Sequence, residues 1–154
     1  MSKQFMPILV DVSDKNILII GGGKSALKKV KLLQRFTHNI SIIAQTILPQ
    51  IKDMVISWKE KTYSTSDLEG YHIIYSCSNN DTLDQKILLD GHKKHILVNI
   101  HDNPVMCDFV SPAIYKDNDM TISVGSNGKN VFQSIKVRNL IQNYIEKQQL
   151  TNII

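Results

Sequence analysis

The chain has 154 residues, the size of one domain or of a domain with a short appendage. Its 42% hydrophobic and 21% charged residues exclude a mainly disordered protein, and no apolar run approaches the roughly 20 residues of a membrane-spanning helix. Asp11 and Asp14 interrupt any apolar signal-peptide core, and two cysteines are too few for a disulfide framework. These features predict a cytoplasmic protein with no membrane partner.

An excess of positive charge favours an anionic partner. Lysine and arginine number 18 and aspartate and glutamate 14, which gives a formal net charge of +4, and a positive field attracts anions. The two arginines are Arg35 and Arg138, whereas proteins that read nucleic-acid bases rely heavily on arginine. We therefore expect no nucleic-acid partner. A polyanionic small molecule agrees with the charge, and a basic surface that serves only solubility is the alternative.

The first two thirds of the chain alternate between strand and helix signals. Short apolar, largely β-branched runs predict strands, which are 16–20, 40–44, an extended segment near Trp58, 71–76 and 96–100. Apolar residues at helical spacing predict the intervening helices, which are 24–37, 47–54 and 82–92. Alternation with short connections is typical of an α/β fold with a parallel sheet covered by helices on both faces.

The pattern changes after Pro112, which predicts a first domain at 1–112 and a second segment at 113–154. Within the second segment, the patterns predict a strand at 120–124 and a long helix at 131–149. The apolar positions of that helix either cover its own sheet or pack against a second copy of the chain. A homodimer is therefore one of two expectations for this segment.

A glycine-rich turn joins the first predicted strand to the first predicted helix. Gly21, Gly23 and Ala26 match the pattern G-x-G-x-x-A, whose glycines permit a tight turn and the close approach of a pyrophosphate to the backbone. Free amides at the helix start favour phosphate oxygens, and a bound pyrophosphate would explain Lys24 at a position that normally favours an acid. The turn predicts a Rossmann-like, dinucleotide-binding domain. A glycine-rich turn without a ligand is the alternative.

One feature of dinucleotide-binding domains is missing. The acid that usually bonds the ribose 2′-hydroxyl would follow Ala44, but Gln45 and Thr46 stand there. Both side chains can hydrogen-bond a ribose hydroxyl. Because no basic residue occurs between them and Lys52, the sequence favours NAD over NADP.

A second polar cluster follows the last strand of the predicted sheet, at the edge where open α/β proteins bind ligands. It comprises Asn99, His101, Asp102, Cys107 and Asp108. These side chains suit proton transfer or weak metal ligation, but their spacing matches no structural zinc site, and we expect no resident metal. A small buried apolar role is the favoured interpretation of Cys107, and a simple turn is the alternative for the segment around Asp102.

Together these motifs resemble precorrin-2 dehydrogenase, the siroheme-synthase module that in some members is also a sirohydrochlorin ferrochelatase. The resemblance covers residues 5–140 and rests on Pro7-Ile8, Gly21–Val30, Asn79-Asn80-Asp81, Asn99…Asp102-Asn103-Pro104, Cys107-Asp108-Phe109 and Pro112-Ala113. One departure is Asn130-Val131, which stands where members often have Ser-Pro. The contact or regulation associated with that position is therefore open.

The resemblance implies that NAD⁺ oxidises precorrin-2 to sirohydrochlorin. It places the cofactor contacts on Gly21, Gly22, Gly23, Lys24, Ser25, Gln45, Thr46, Ser78 and Asn79. The essential aspartate of the family falls on Asp102, which either accepts a proton or orients the substrate. Asn99, Lys129 and Arg138 are candidate partners for the substrate carboxylates, although solvated surface is the favoured interpretation of the two basic residues. Members of the family are homodimers.

Two alternative functions stay open. The protein could be bifunctional and also insert Fe²⁺ into sirohydrochlorin, in which case Asp102 would help to remove the pyrrole protons. It could instead be a non-catalytic Rossmann module that senses NAD, but such a module has no need for the cluster around Asp102.

Overall fold

The computed structural model describes residues 3–148, which form two compact units. The first is Ile8–Phe109, and the second combines residues 3–7 with 110–148. The end of the predicted helix 131–149, and of the predicted segment that contains it, lies outside the described residues. Among the described residues, no helix has both the length and the apolar content needed to cross a bilayer.

The first unit is built on a parallel sheet in the order β3-β2-β1-β4-β5. Its strands are β1 Ile17–Ile20, β2 Ile40–Ala44, β3 Ser57–Glu60, β4 Ile73–Ser76 and β5 Leu97–Ile100. The helices are α1 Lys24–Leu33, α2 Pro49–Lys52 and α3 Asp81–Lys93, and two 3₁₀ turns lie at Thr65–Leu68 and Pro104–Met106. The central strands are rich in isoleucine, which suits a sheet buried on both faces.

Helices cover both faces of this sheet. Ile17 and Ile19 pack with Val30 of α1 in one buried apolar cluster. On the opposite face, Gly91 of α3 lies directly against the side chain of Val98 in β5. Each fully buried isoleucine contributes about 1.5–3 kcal/mol relative to an exposed one. The predicted α/β, Rossmann-like architecture is confirmed.

Three helices have boundaries that differ from the predicted ones. The helix predicted at 24–37 ends at Leu33, and the one predicted at 47–54 is the single turn α2. After each of these helices the chain turns back towards the next strand within a few residues, and this turn takes up the last residues of the predicted helix. The helix predicted at 82–92 is one residue longer at each end, because Asn80 caps it by accepting a hydrogen bond from Leu83 N–H at 3.0 Å.

The second unit contains an antiparallel hairpin and a long helix. Its strands are β6 Ala113–Asp117 and β7 Met120–Val124, and its helix is α4 Val131–Lys147. Only β7 and α4 were predicted from the sequence. The unpredicted strand β6 is joined to β7 by a two-residue turn whose first residue, Asn118, has φ 47°, a conformation that asparagine tolerates.

Candidate functional site

The parallel sheet brings four of the predicted site segments to one edge. The pairings Ile20↔Ile43, Ile20↔Ser76 and Ser76↔Ile100 show that β1, β2, β4 and β5 end at the same level. The segments that follow these ends contain the predicted residues, which are Gly21–Ser25, Gln45, Thr46, Ser78, Asn79 and Asp102. Ligands of open α/β sheets bind outside this carboxyl edge.

The first two glycines of the turn after β1 lie against the neighbouring segments. Gly21 has φ 126°, and a Cβ added there would lie 2.3 Å from the carbonyl oxygen of Cys77. A Cβ on Gly22 would lie 2.1 Å from the carbonyl oxygen of Thr46. Backbone therefore packs on backbone, and any side chain at either position would push these segments apart.

The third glycine is different, because a Cβ on Gly23 would meet no atom within 4 Å. Gly23 is the N-cap of α1, where no side chain caps the helix and no acid occupies the first turn. The first N–H groups of α1, which include those of Lys24 and Ser25, have no acceptor within the helix. Backbone amides and the positive end of a helix suit a pyrophosphate, so these residues fit a dinucleotide.

The segment after β2 lies beside the end of β3, which adds an acid that the sequence analysis missed. Gln45 and Thr46 are exposed, and Gln45 Nε2 donates to Thr62 Oγ1 at 3.3 Å. Ala44 is paired with Glu60 in the sheet, and Glu60 Oε1 accepts a hydrogen bond from Ile47 N–H at 3.0 Å. Parallel register was the signal that could have placed this carboxylate next to β2.

The loop after β4 is organised by a second acid that the sequence analysis missed. Asp84 of α3 is buried, and its Oδ1 accepts hydrogen bonds from Ser76 Oγ at 2.5 Å and from Ser78 Oγ at 2.8 Å. Ser78 Oγ also accepts from Asn80 N–H at 3.1 Å, and Asn79 has φ 53°. The hydroxyl of Ser78 therefore holds the shape of this loop.

Asp102 occupies the exposed tip of the loop after β5. Its backbone is left-handed, with φ 57°, and its side chain is 87% exposed. His101 Nε2 lies 3.4 Å from Asp102 Oδ2. A non-glycine residue with positive φ is uncommon and is found where the surrounding structure holds it in place.

Cys107 supplies that support from inside the loop. Its sulfur is buried, accepts a hydrogen bond from Ile100 N–H at 3.1 Å, and lies 3.2 Å from the carbonyl oxygens of Ile100 and Asn103. The buried amide of Asn99 donates to the Phe109 carbonyl at 2.8 Å. Cys107 thus holds the loop from inside, and Asn99, the third residue of β5, bonds the far end of the loop at Phe109.

Asp108 fixes the same loop to the edge strand of the sheet. Its Oδ2 accepts from Val98 N–H at 2.9 Å, and its Oδ1 lies 2.9 Å from His92 Nε2. The backbone N–H of Asp108 donates to the Val98 carbonyl at 2.9 Å. This carboxylate therefore has a structural role on β5.

Lys29 of α1 is a half-buried cation that the sequence analysis did not single out. Its Nζ lies 4.5 Å from the ring centroid of Tyr75 in β4. Burial lowers the pKa of Lys29, and Asp102 is among the groups that oppose this shift. Burial also raises the pKa of the Cys77 thiol to about 11, so this cysteine is neutral at pH 7. Within residues 3–148, no three side chains of the metal-ligating types cluster closely enough to hold an ion.

The other two predicted substrate contacts belong to the second unit. Arg138 Nη1 donates to the Ile114 carbonyl at 2.8 Å, and Lys129 N–H donates to the Ser126 carbonyl at 3.0 Å. Asn130 caps α4 by accepting from Gln133 N–H at 2.9 Å, which gives the departure from the usual Ser-Pro a structural role.

Comparison with known proteins gives three findings. Residues 8–113 match the model of an NAD(P)-binding family. Siroheme synthase 1 of Klebsiella pneumoniae is 27% identical over 129 residues, covering 81% of this chain and 27% of that protein. Siroheme synthase of Psychrobacter cryohalolentis is 32% identical over 127 residues, covering 80% and 24%.

The chain thus spans about a quarter of the length of these curated relatives. Among solved structures, "SirC, precorrin-2 dehydrogenase" superposes with a TM-score of 0.74 at 18% identity, covering 91% of this chain and 70% of that one. This likeness shows a shared fold.

Proposed function

Because the chain belongs to the NAD(P)-binding family whose model covers residues 8–113, we propose that it is an NAD-dependent dehydrogenase that oxidises precorrin-2 to sirohydrochlorin. One observation carries the proposal. The uncapped start of α1 and the exposed carboxylate of Asp102 follow strands that end at the same edge of one sheet. The names of the relatives, siroheme synthase and precorrin-2 dehydrogenase, support this choice of substrate.

The cofactor site is formed by the segments after β1, β2 and β4. The residues assigned to it are Gly21, Gly22, Gly23, Lys24, Ser25, Gln45, Thr46, Ser78 and Asn79. NAD⁺ supplies a hydride acceptor when bound. The amides at the start of α1 hold the pyrophosphate, and the internal hydrogen bonds of Ser78 keep the loop after β4 in shape.

Asp102 is assigned the proton-transfer role. The oxidation removes a hydride and a proton from the reduced macrocycle, so a base must accept the proton. The side chain of Asp102 is exposed and its turn is held by Cys107. A carboxylate on a fixed backbone can accept a proton without reorganising the loop.

The substrate contacts and the domain organisation are part of the same proposal. Lys129 and Arg138 provide positive charge for the carboxylates of precorrin-2. Asn99 contributes indirectly, because its amide is bonded to Phe109 inside the loop. We assign the NAD-binding domain to 1–112 and the dimerisation segment to 113–154. Phe132 and Leu140 of α4 are 85% and 61% exposed, which agrees with a homodimer formed through this helix.

The test is an anaerobic assay of the purified protein with precorrin-2 and NAD⁺, in which NADH and sirohydrochlorin are followed together. We expect equal amounts of both products. NAD⁺ binding without turnover would contradict the substrate assignment and favour an NAD-sensing module. A separate reaction with sirohydrochlorin and Fe²⁺ but no NAD⁺ tests iron insertion, and metallation above the spontaneous rate would support the bifunctional alternative.

A further inference from the structure

The carboxylate of Glu60 stands close to the position of the acid that is missing after β2. Glu60 is the last residue of β3 and is paired with Ala44, the last residue of β2. Lys61 N–H donates to the Ala44 carbonyl at 2.8 Å, so the two strand ends are joined by backbone. The carboxylate then reaches across to Ile47 N–H, three residues beyond the end of β2, at 3.0 Å.

This carboxylate is fixed, ionised and accessible. Its hydrogen bond from Ile47 N–H, and next its contact with Lys52 Nζ at 3.1 Å, lower the pKa of Glu60. Both contacts use Oε1, which leaves acceptor capacity on Oε2. The side chain is 38% exposed, so a ligand at the carboxyl edge can reach it.

Two lysines close to Glu60 already have carboxylate partners. Lys52 is paired with Glu60, and its Nζ also lies 4.3 Å from the ring centroid of Trp58. Lys61 Nζ is paired with Asp67 at 2.7 Å. The 2′-phosphate of NADP would have to compete with the Glu60 carboxylate for Lys52. It would also be repelled by that carboxylate, because two negative charges would lie close together.

We infer that Glu60 takes the role of the missing acid, accepting a hydrogen bond from the adenosine ribose 2′-hydroxyl and excluding a 2′-phosphate. Glu60 thereby selects NAD over NADP. This inference rests on the proposed function, because it requires a dinucleotide at the carboxyl edge. In this fold the ribose hydroxyls are bonded at the end of β2, where Ile47 N–H holds the Glu60 carboxylate.

The experiment measures the dissociation constants of NAD⁺ and NADP⁺ by titration calorimetry for the wild type and for Glu60→Gln. The amide keeps an oxygen for Ile47 N–H but removes the negative charge and frees Lys52. We expect the wild type to prefer NAD⁺ by about tenfold or more, and Glu60→Gln to lower that preference by about tenfold. Adding Lys52→Met to Glu60→Gln is expected to weaken NADP⁺ binding again.

Glu69→Gln is the matched control. It makes the same chemical change at an exposed glutamate that pairs with Lys94 and follows the 3₁₀ turn Thr65–Leu68. We expect it to leave the NAD⁺ preference unchanged. Thermal unfolding of each variant checks that it is folded, and the wild-type preference tests the inference without any substitution.

The outcomes separate the two proposals. A wild type that binds neither nucleotide would contradict the proposed function. A wild type that binds NAD⁺ but does not prefer it over NADP⁺, or a folded Glu60→Gln variant with an unchanged preference, would contradict the role of Glu60 alone.

Discussion

The loops after β1 and β5 flank the same edge of the sheet but are built in opposite ways. The loop after β1 has almost no side chains, and its backbone lies against the backbone after β2 and β4. The loop after β5 is held by buried side chains, Cys107 of the loop and Asn99 of β5 itself, while Asp102 projects outward. The first loop therefore presents backbone amides at this edge, and the second presents the carboxylate of Asp102.

Under the proposed function, this difference separates cofactor binding from proton transfer. A substitution in the glycine loop acts through steric clash or through loss of access to amides. A substitution in the loop after β5 acts either on the outward-facing carboxylate of Asp102 or on the hydrogen bonds that hold the loop. The two loops should therefore respond to substitution in distinguishable ways.

Gly21→Ala is the substitution in the glycine loop for which we expect the largest effect. The new Cβ would lie 2.3 Å from the Cys77 carbonyl oxygen at a φ of 126°, so we expect a loss of about 3 kcal/mol of unfolding free energy. Urea unfolding measures this loss. Gly23→Ala is the matched control, because its Cβ meets no atom within 4 Å. Its stability should stay within about 1 kcal/mol of the wild type while NAD⁺ affinity falls. Equal destabilisation by both variants would contradict this account.

Asp102→Asn should lower the turnover of precorrin-2 and leave the NAD⁺ affinity unchanged. Asparagine tolerates the left-handed backbone of this position, and the side chain is 87% exposed, so the fold and NAD⁺ affinity should not change. Turnover of precorrin-2 should fall by about 10²-fold or more, the scale of lost acid–base catalysis. Steady-state kinetics and NAD⁺ titration measure the two effects. The control is Asp119→Asn, an exposed acid of the second unit, and full activity of Asp102→Asn would reject its proton-transfer role.

Cys107→Ala tests the support beneath Asp102. Removing the sulfur leaves the buried Ile100 N–H without its 3.1 Å partner, so we expect a loss of about 1–2 kcal/mol in unfolding free energy. Turnover should fall more than NAD⁺ affinity, because the turn that carries Asp102 loosens. Cys107→Ser, which keeps a donor and an acceptor, should recover part of both losses. A fully stable and active alanine variant would show that the sulfur only fills space.

Asp90→Asn probes a polar network that involves neither loop, and its effect should be the smallest. Burial opposes ionisation of Asp90, but hydrogen bonds from Lys86, Thr65 and Tyr63 outweigh it, and the pKa of Asp90 lies below its ordinary value of 3.8. Because the folded-state pKa is depressed, this stabilisation is present above about pH 4 and is lost as the pH falls through the folded-state pKa.

The unfolding free energy, measured between neutral and acid pH, should therefore fall less steeply with decreasing pH in Asp90→Asn than in the wild type. The NAD⁺ affinity at pH 7 should be unchanged. The same pH dependence in both proteins would show that ionised Asp90 does not stabilise the fold.

The sequence by itself determined the elements whose signals are local. Runs such as 16–20 and 40–44 predicted buried strands because adjacent β-branched residues favour extended backbone, and the glycines at 21–23 predicted the tight turn that follows. Alternation of the elements then predicted the parallel sheet. The nine predicted cofactor residues and Asp102 follow the strand ends, but their roles in binding and catalysis stay predictions.

Tertiary structure alone decided which further residues lie next to the predicted site residues. Glu60 lies beside β2 because of strand register, Asp84 meets Ser78 because α3 packs under the loop, and Lys29 lies over Tyr75 because α1 covers β4. These are contacts between residues 6 to 46 positions apart or in neighbouring strands, so no local pattern encodes them. The spacing of apolar residues in the sequence predicts which face of a helix or strand is buried. Which polar side chains then meet depends on how the helices and strands pack.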